Sequence, residues 1–118
     1  MRLKSQIWVS AYLRRCTALG IFAVVERRGD ESAGAIFVKL VQSTGAVRLF
    51  APAPQSAEGD GERLWMPAGK VEVMPEEEAD AIIAREVRFD RDLWVVAVED
   101  GAGRHMLDDR LLAAESIP

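Results

Sequence analysis

The sequence predicts an α+β fold, with residues 1–118 forming a single domain. Its layout is a mixed β-sheet of about five strands with an N-terminal helix and a crossover helix before the central, last long strand. Three observations carry this prediction. After Pro75 and the glutamates Glu76, Glu77 and Glu78, apolar residues recur at Ala79, Ile82, Ile83 and Val87, the spacing of one helix face. The run Leu93-Trp94-Val95-Val96-Ala97-Val98 has no polar alternation, as expected of a strand covered on both faces. Between Phe22 and Phe50, short segments rich in β-formers are separated by glycine-containing turns.

Residues Ser5 to Leu19 read as the first helix, with Ser5 as N-cap, an apolar stripe of Trp8, Val9, Tyr12, Cys16 and Leu19, and Gly20 in the stop position. Phe22 to Arg28 is the first strand, closed by the polar loop from Gly29 to Gly34, where Gly29 reads as turn chemistry. Gly34 to Val41 is the second, with Ile36, Val38 and Leu40 on one face and Lys39 interrupting the other. A Ser43-Thr44-Gly45 turn leads to a third strand, Ala46 to Phe50, where Arg48 again marks the wetter face. The composition of Ala51 to Gly61 predicts a mobile surface loop. Glu62 to Met66 returns as a fourth strand antiparallel to the third, and Lys70 to Met74, with Val71 and Val73 alternating, predicts a short edge strand. Helix 75–89 has acidic residues at the positive end of its dipole and Arg85 and Arg88 toward the other, with Arg91 just beyond. The link Asp90-Arg91-Asp92 feeds the central strand, which should lie parallel to one neighbour. An Asp100-to-Gly103 turn, a short returning strand from Arg104 to Leu107, and a last helix capped by Asp108 and ending near Glu115 complete the chain.

No stretch resembles a signal peptide or a membrane span, so the expected location is cytoplasmic. Cys16 is the only cysteine, which excludes an internal disulfide and a cysteine-based zinc cluster. The charge is uneven. Through Phe50 there are eight basic and three acidic residues, leaving seven of the fifteen basic and sixteen of the nineteen acidic residues for the remainder. The halves are expected to face each other in the fold or across a homodimer. Nucleic acid is disfavoured as a partner, because no run exceeds two basic residues; weak binding by the basic first half would show as a steep loss of affinity with salt.

Chemistry-bearing patterns are sparse. Trp65 to Glu72, followed by Arg85-Glu86-Val87, resembles the start and helix of a Nudix hydrolase box. Phe89 and Asp90 stand where that family carries its consecutive metal-binding glutamates, and the spacing is two residues too long, so Nudix activity is not expected. Asp90-Arg91-Asp92 has the Asp-x-Asp form that holds a divalent ion against a diphosphate in some transferases. A Mg or Mn site made of Asp90, Asp92 and Glu86 is the resulting alternative to a protein without a cofactor. Arg28-Gly29-Asp30 matches an adhesion tripeptide, which a cytoplasmic protein has no occasion to use. His105 is the only histidine, and a dyad of Cys16 with His105 would need a buried thiol to meet a loop.

What remains is a polar set at predicted element ends: Arg14, Arg28, Asp30, Arg85, Asp90 and Asp92, with Arg15 and Trp94 beside them. It is the expected ligand or partner surface of a non-catalytic binding or regulatory module that contacts a protein or small molecule, with no catalytic residue assigned. The alternative is a small metal-assisted hydrolase or transferase acting on a phosphate ester, with Asp90, Asp92 and Glu86 as ligands.

The segments Ile7 to Arg15, Arg27 to Asp30 through Gly34 to Lys39, and Ile83 to Glu86 through Phe89 to Val96 resemble a family of short bacterial proteins known as domain of unknown function 1491. The likeness extends over almost the whole chain. It implies no activity, cofactor or catalytic residue.

Overall fold

A computed structural model describes residues 3–54 and 63–107. Its strands are β1 (Phe22–Arg27), β2 (Ile36–Ser43), β3 (Ala46–Pro52), β4 (Trp65–Pro67) and β5 (Trp94–Glu99), and its helices are α1 (Ser5–Ala18) and α2 (Glu76–Phe89). The sheet order is β1-β5-β2-β3-β4. β5 runs parallel to β2, with Trp94 opposite Ile36, and the other neighbours are antiparallel. The unalternating run thus occupies a central strand between β1 and β2, reached through the crossover helix, as the sequence predicts.

Strand alternation sends side chains to two covered faces. Ile36, Val38, Leu40, Phe50, Trp94, Val96 and Val98 form one core with Val9, Tyr12 and Cys16 of α1. Phe37, Val47, Leu49, Leu93 and Val95 form the other, against Ala79, Ile82, Ile83 and Val87 of α2. Trp65 and Trp94 are buried and Trp8 is half-buried, tilted against Trp65 and stacked on Tyr12. The start of α2 is pinned by the Glu76 amide donating to the Thr44 carbonyl in the β2–β3 turn.

Several expectations are corrected. Lys4, not Ser5, occupies the N-cap position of α1, and its side chain makes no capping hydrogen bond. Ser5 is already helical and buried, and its hydroxyl donates to the Gly34 carbonyl at 2.6 Å while accepting from Arg63. Leu19 leaves the apolar stripe and is exposed, because α1 stops at Ala18 and the chain reverses through Gly20 at φ 73°. Lys39 and Arg48 do not share a wet face: Lys39 lies on the α2 side and is buried, whereas Arg48 lies opposite Leu40 and stacks on Phe50.

Ala51 and Pro52 continue β3 rather than opening a loop, and the Ala53 amide donates to the Leu64 carbonyl. Residues 55–62 of the predicted loop and strand lie outside the described residues. Lys70 to Met74 is not a strand. Met74 alone bridges Val47, leaving Val71 and Val73 exposed. Arg104 to Leu107 does not pair back either, because Met106 has φ 61°, which no strand accommodates. The predicted last helix lies outside the described residues.

Candidate functional site

Five of the eight residues singled out from the sequence gather where β1 ends and β5 begins, and most of their polar groups hold the chain to itself. The Asp30 carboxylate accepts the Ser32 and Ala33 amides, folding the loop after β1 into an Asx-type turn. The Asp30 amide donates to the Asp92 carbonyl, and the Trp94 indole N–H donates to the Asp30 carbonyl at 2.7 Å. The Asp90 carboxylate accepts the Asp92 amide at the end of α2. The Glu31 and Ser32 carbonyls in turn accept the Gln6 and Ser5 amides, two donors that the first turn of a helix leaves without intrahelical partners.

Gly29 and Gly34 let this clasp close. A Cβ on Gly29 would stand 2.1 Å from the Asp92 carbonyl oxygen, and one on Gly34 would stand 2.3 Å from the same atom. Both would also press on the Trp94 ring edge. The glycines are therefore there for close backbone approach, beyond the turn chemistry expected of Gly29.

Arg28 remains outward. Its guanidinium lies 5.2 Å from the Trp94 ring centroid and 3.5 Å from the Glu31 carboxylate, and both members of that ion pair are exposed. Arg14 and Arg85 are not brought together: they stand exposed on α1 and α2, which cover opposite faces of the sheet. Glu86 contributes its carbonyl to the Asp90 amide. Among the described residues no group of three or more His, Cys, Asp or Glu side chains is placed to hold a metal ion. Cys16 is fully covered, and burial pushes its thiol up from its ordinary value despite a lowering hydrogen bond with Tyr12. A raised, inaccessible thiol is a poor nucleophile. His105 accepts the Leu107 amide on Nδ1, and its carbonyl accepts the Tyr12 hydroxyl.

The ion cluster that sequence reasoning missed is centred on Lys39. Its side chain is 1 % exposed, and its Nζ lies 2.8 Å from Glu26, 3.0 Å from Asp80 and 3.2 Å from Glu76. Burial pushes the ammonium down, but hydrogen bonds to Glu26, Asp80 and Glu76 outweigh it and hold the pKa above the ordinary lysine value. One lysine thus joins β1, β2 and the first turns of α2. The available signal was its position inside Ile36 to Val41, a run whose other members are all apolar.

The other feature missed is the outer edge of the sheet. β1 pairs with β5 only, among the described residues, so its second side offers unpaired backbone groups. Phe22 is 58 % exposed, Val24 39 % and Val25 38 %. Phe22 and Val24 lie on the α2 face, opposite Glu99 and Ala97, and Val25 lies on the α1 face opposite Val96. The ladder becomes irregular between Val25 and Arg27, which ends the regular edge beside Glu26.

Comparison with known proteins gives a family profile, described as protein of unknown function (DUF1491), that matches residues 3–108. The chain is similar to a DUF1491 family protein from Caulobacter crescentus CB15 solved by crystallography, with 40 % identity and TM-score 0.77 over 95 % of this chain and 99 % of that one. It is also similar to an NMR structure of a DUF1491 family protein from the same bacterium, with 43 % identity and TM-score 0.79 over 95 % and 98 % of the two chains. The solution structure of Atu0922 from A. tumefaciens shares 46 % identity and TM-score 0.73 over 85 % and 87 %. The comparison with curated proteins found no match.

Proposed function

The chain belongs to the DUF1491 family, and from that premise we propose that it is a non-catalytic cytoplasmic binding module that contacts a protein partner. Its contact surface is the open edge of β1, continued at one end by Arg28 on the Trp94 face. The observation that carries this reading is the exposure of Phe22, Val24 and Val25 on a strand paired along one side only among the described residues. Such an edge recognises another strand: backbone hydrogen bonds supply affinity, and alternate side chains supply selectivity. The neighbouring Asp30 and Asp90 carboxylates accept backbone amides of their own loops. That use favours a clasp that stiffens the edge over a reaction centre.

In-cell photo-cross-linking tests this. Benzoyl-phenylalanine in place of Phe22 is expected to give one discrete cross-linked protein species. The same replacement at Phe89, which is 86 % exposed at the end of α2, is expected to give none. Equal labelling from both positions would mean that exposure alone governs the reaction, and the binding reading would fail.

The module is also proposed to work without a divalent ion. Magnesium or manganese, alone or with nucleotides and sugar phosphates, should leave its thermal midpoint unchanged. A ligand binding only the folded state at a hundred times its dissociation constant adds about 2.7 kcal/mol, a readily seen shift. A metal-dependent shift that disappears in the Asp90→Asn, Asp92→Asn variant would replace this reading with the metal-assisted enzyme.

A further inference from the structure

We propose that the partner of the β1 edge is a second copy of this chain, joined by antiparallel pairing of β1 with β1 across a two-fold axis through Ala23. The inference rests on the binding reading above and deepens it. A two-fold that pairs edge strands antiparallel stands perpendicular to the sheet and leaves each face on its own side, so residues directly opposite each other must belong to the same face. Phe22 and Val24 share the α2 face, while Ala23 and Val25 share the α1 face.

An axis through any of the four residues from Phe22 to Val25 meets that condition. Centring on Phe22 carries the pairing off the strand onto Gly20, whose φ of 73° is not extended, and centring on Val25 sets Val24 against the partner's Glu26 and crosses the irregularity between Val25 and Arg27. Centring on Val24 sets Phe22 against the partner's Glu26, a carboxylate held by Lys39 within 2.8 Å, and runs the pairing into the irregularity between Val25 and Arg27. Centring on Ala23 avoids both. It sets Phe22 against the partner's Val24 twice, Ala23 against the partner's Ala23, and Ile21 against the partner's Val25. Ile21 packs in the α1-side core and Val25 faces that side, so this outermost pair is also matched in face. Each pair in the register is then apolar, and a continuous ten-stranded sheet results from two copies of the five-stranded one. The self-match selects a second copy over an unrelated strand: the same short segment supplies, from both sides, an apolar partner at every position.

Sedimentation equilibrium of the purified full chain tests the association. The expected result is twice the mass of 13.0 kDa at high concentration. Val24→Lys, which leaves an unpaired ammonium against Phe22, should weaken the dimer at least about tenfold with an unchanged circular dichroism spectrum. Register is tested by Phe22→Cys and Val24→Cys chains under mild oxidation, with the buried Cys16 left in place. A mixture should give a disulfide-linked pair, and each variant alone should give little. A wild-type chain that stays monomeric throughout, a dimer indifferent to Val24→Lys, or cross-linking of each variant with itself in preference to the other would overturn the proposal. The in-cell cross-link separates its failure from that of the binding reading. A product of a different protein at Phe22 overturns the second copy but keeps the module, whereas no selective product overturns both.

Discussion

Lys39→Ala is expected to destabilise the fold by about 3 kcal/mol, the low end of the range for removing one member of a buried ion pair. The low end applies because Glu26, Glu76 and Asp80 are each partly exposed and retain some hydration. Deleting the ammonium leaves three carboxylates converging on an empty hole under α2, so Lys39→Met, which refills the volume, should recover only part of the loss. Lys39→Met combined with Glu26→Gln, Glu76→Gln and Asp80→Asn should recover most of it. Urea denaturation of the series separates charge from packing. The sign with pH follows from the raised lysine value. Stabilisation is fully present below the ordinary lysine value of 10.5 and is lost as pH rises through the higher value of the folded chain. The gap between wild type and Lys39→Met should therefore stay flat from about pH 6 to 9 and narrow only in strong alkali.

Gly29→Ala and Gly34→Ala should each cost about 3 kcal/mol, at the upper end of overpacking effects. The added carbon meets the Asp92 carbonyl, a backbone atom fixed by its hydrogen bond from Asp30, and it also meets the Trp94 ring, which is buried in the α1-side core. Neither neighbour gives way without moving β5. Gly45→Ala is the control: nothing lies within 4 Å of its Cβ position, and a change within about 0.5 kcal/mol is expected. Denaturant midpoints followed by tryptophan emission report stability and the displacement of Trp94 together.

The elements that the sequence declared best are those with one dominant local signal. α2 combines a proline at its start, acidic residues in its first turn and a single apolar face, and β5 is apolar on both sides, so local pattern and tertiary burial agree. Lys39 was misread because a lysine in an alternating strand ordinarily faces water, and its three partners come from β1 and α2, far away in the chain. Ser5 carries a typical cap residue's hydroxyl, but the close approach of Gly34 takes it. Met74 and Met106 show the limit of short patterns: one residue bridges and the other adopts a left-handed backbone, and neither extends a strand.

The polar set was legible as a group without its role being legible. Asp30, Asp90, Asp92 and Trp94 do converge, yet most of their bonds are to backbone atoms that only the folded clasp brings near. The β1 edge was invisible for a different reason. Phe22, Val24 and Val25 look like core residues, and only the strand order reveals that β1 lies outermost with no further strand beside it among the described residues.

Cross-linking from position 22, measured in the Val24→Lys and the Asp90→Asn, Asp92→Asn backgrounds, tests most directly that this chain binds through its edge while its clasp serves the fold. The account predicts that Val24→Lys abolishes the product and that the asparagine pair, which can still accept the same amide bonds, leaves its yield unchanged. A product that survives Val24→Lys and disappears in the asparagine pair would place recognition on the aspartates and contradict it.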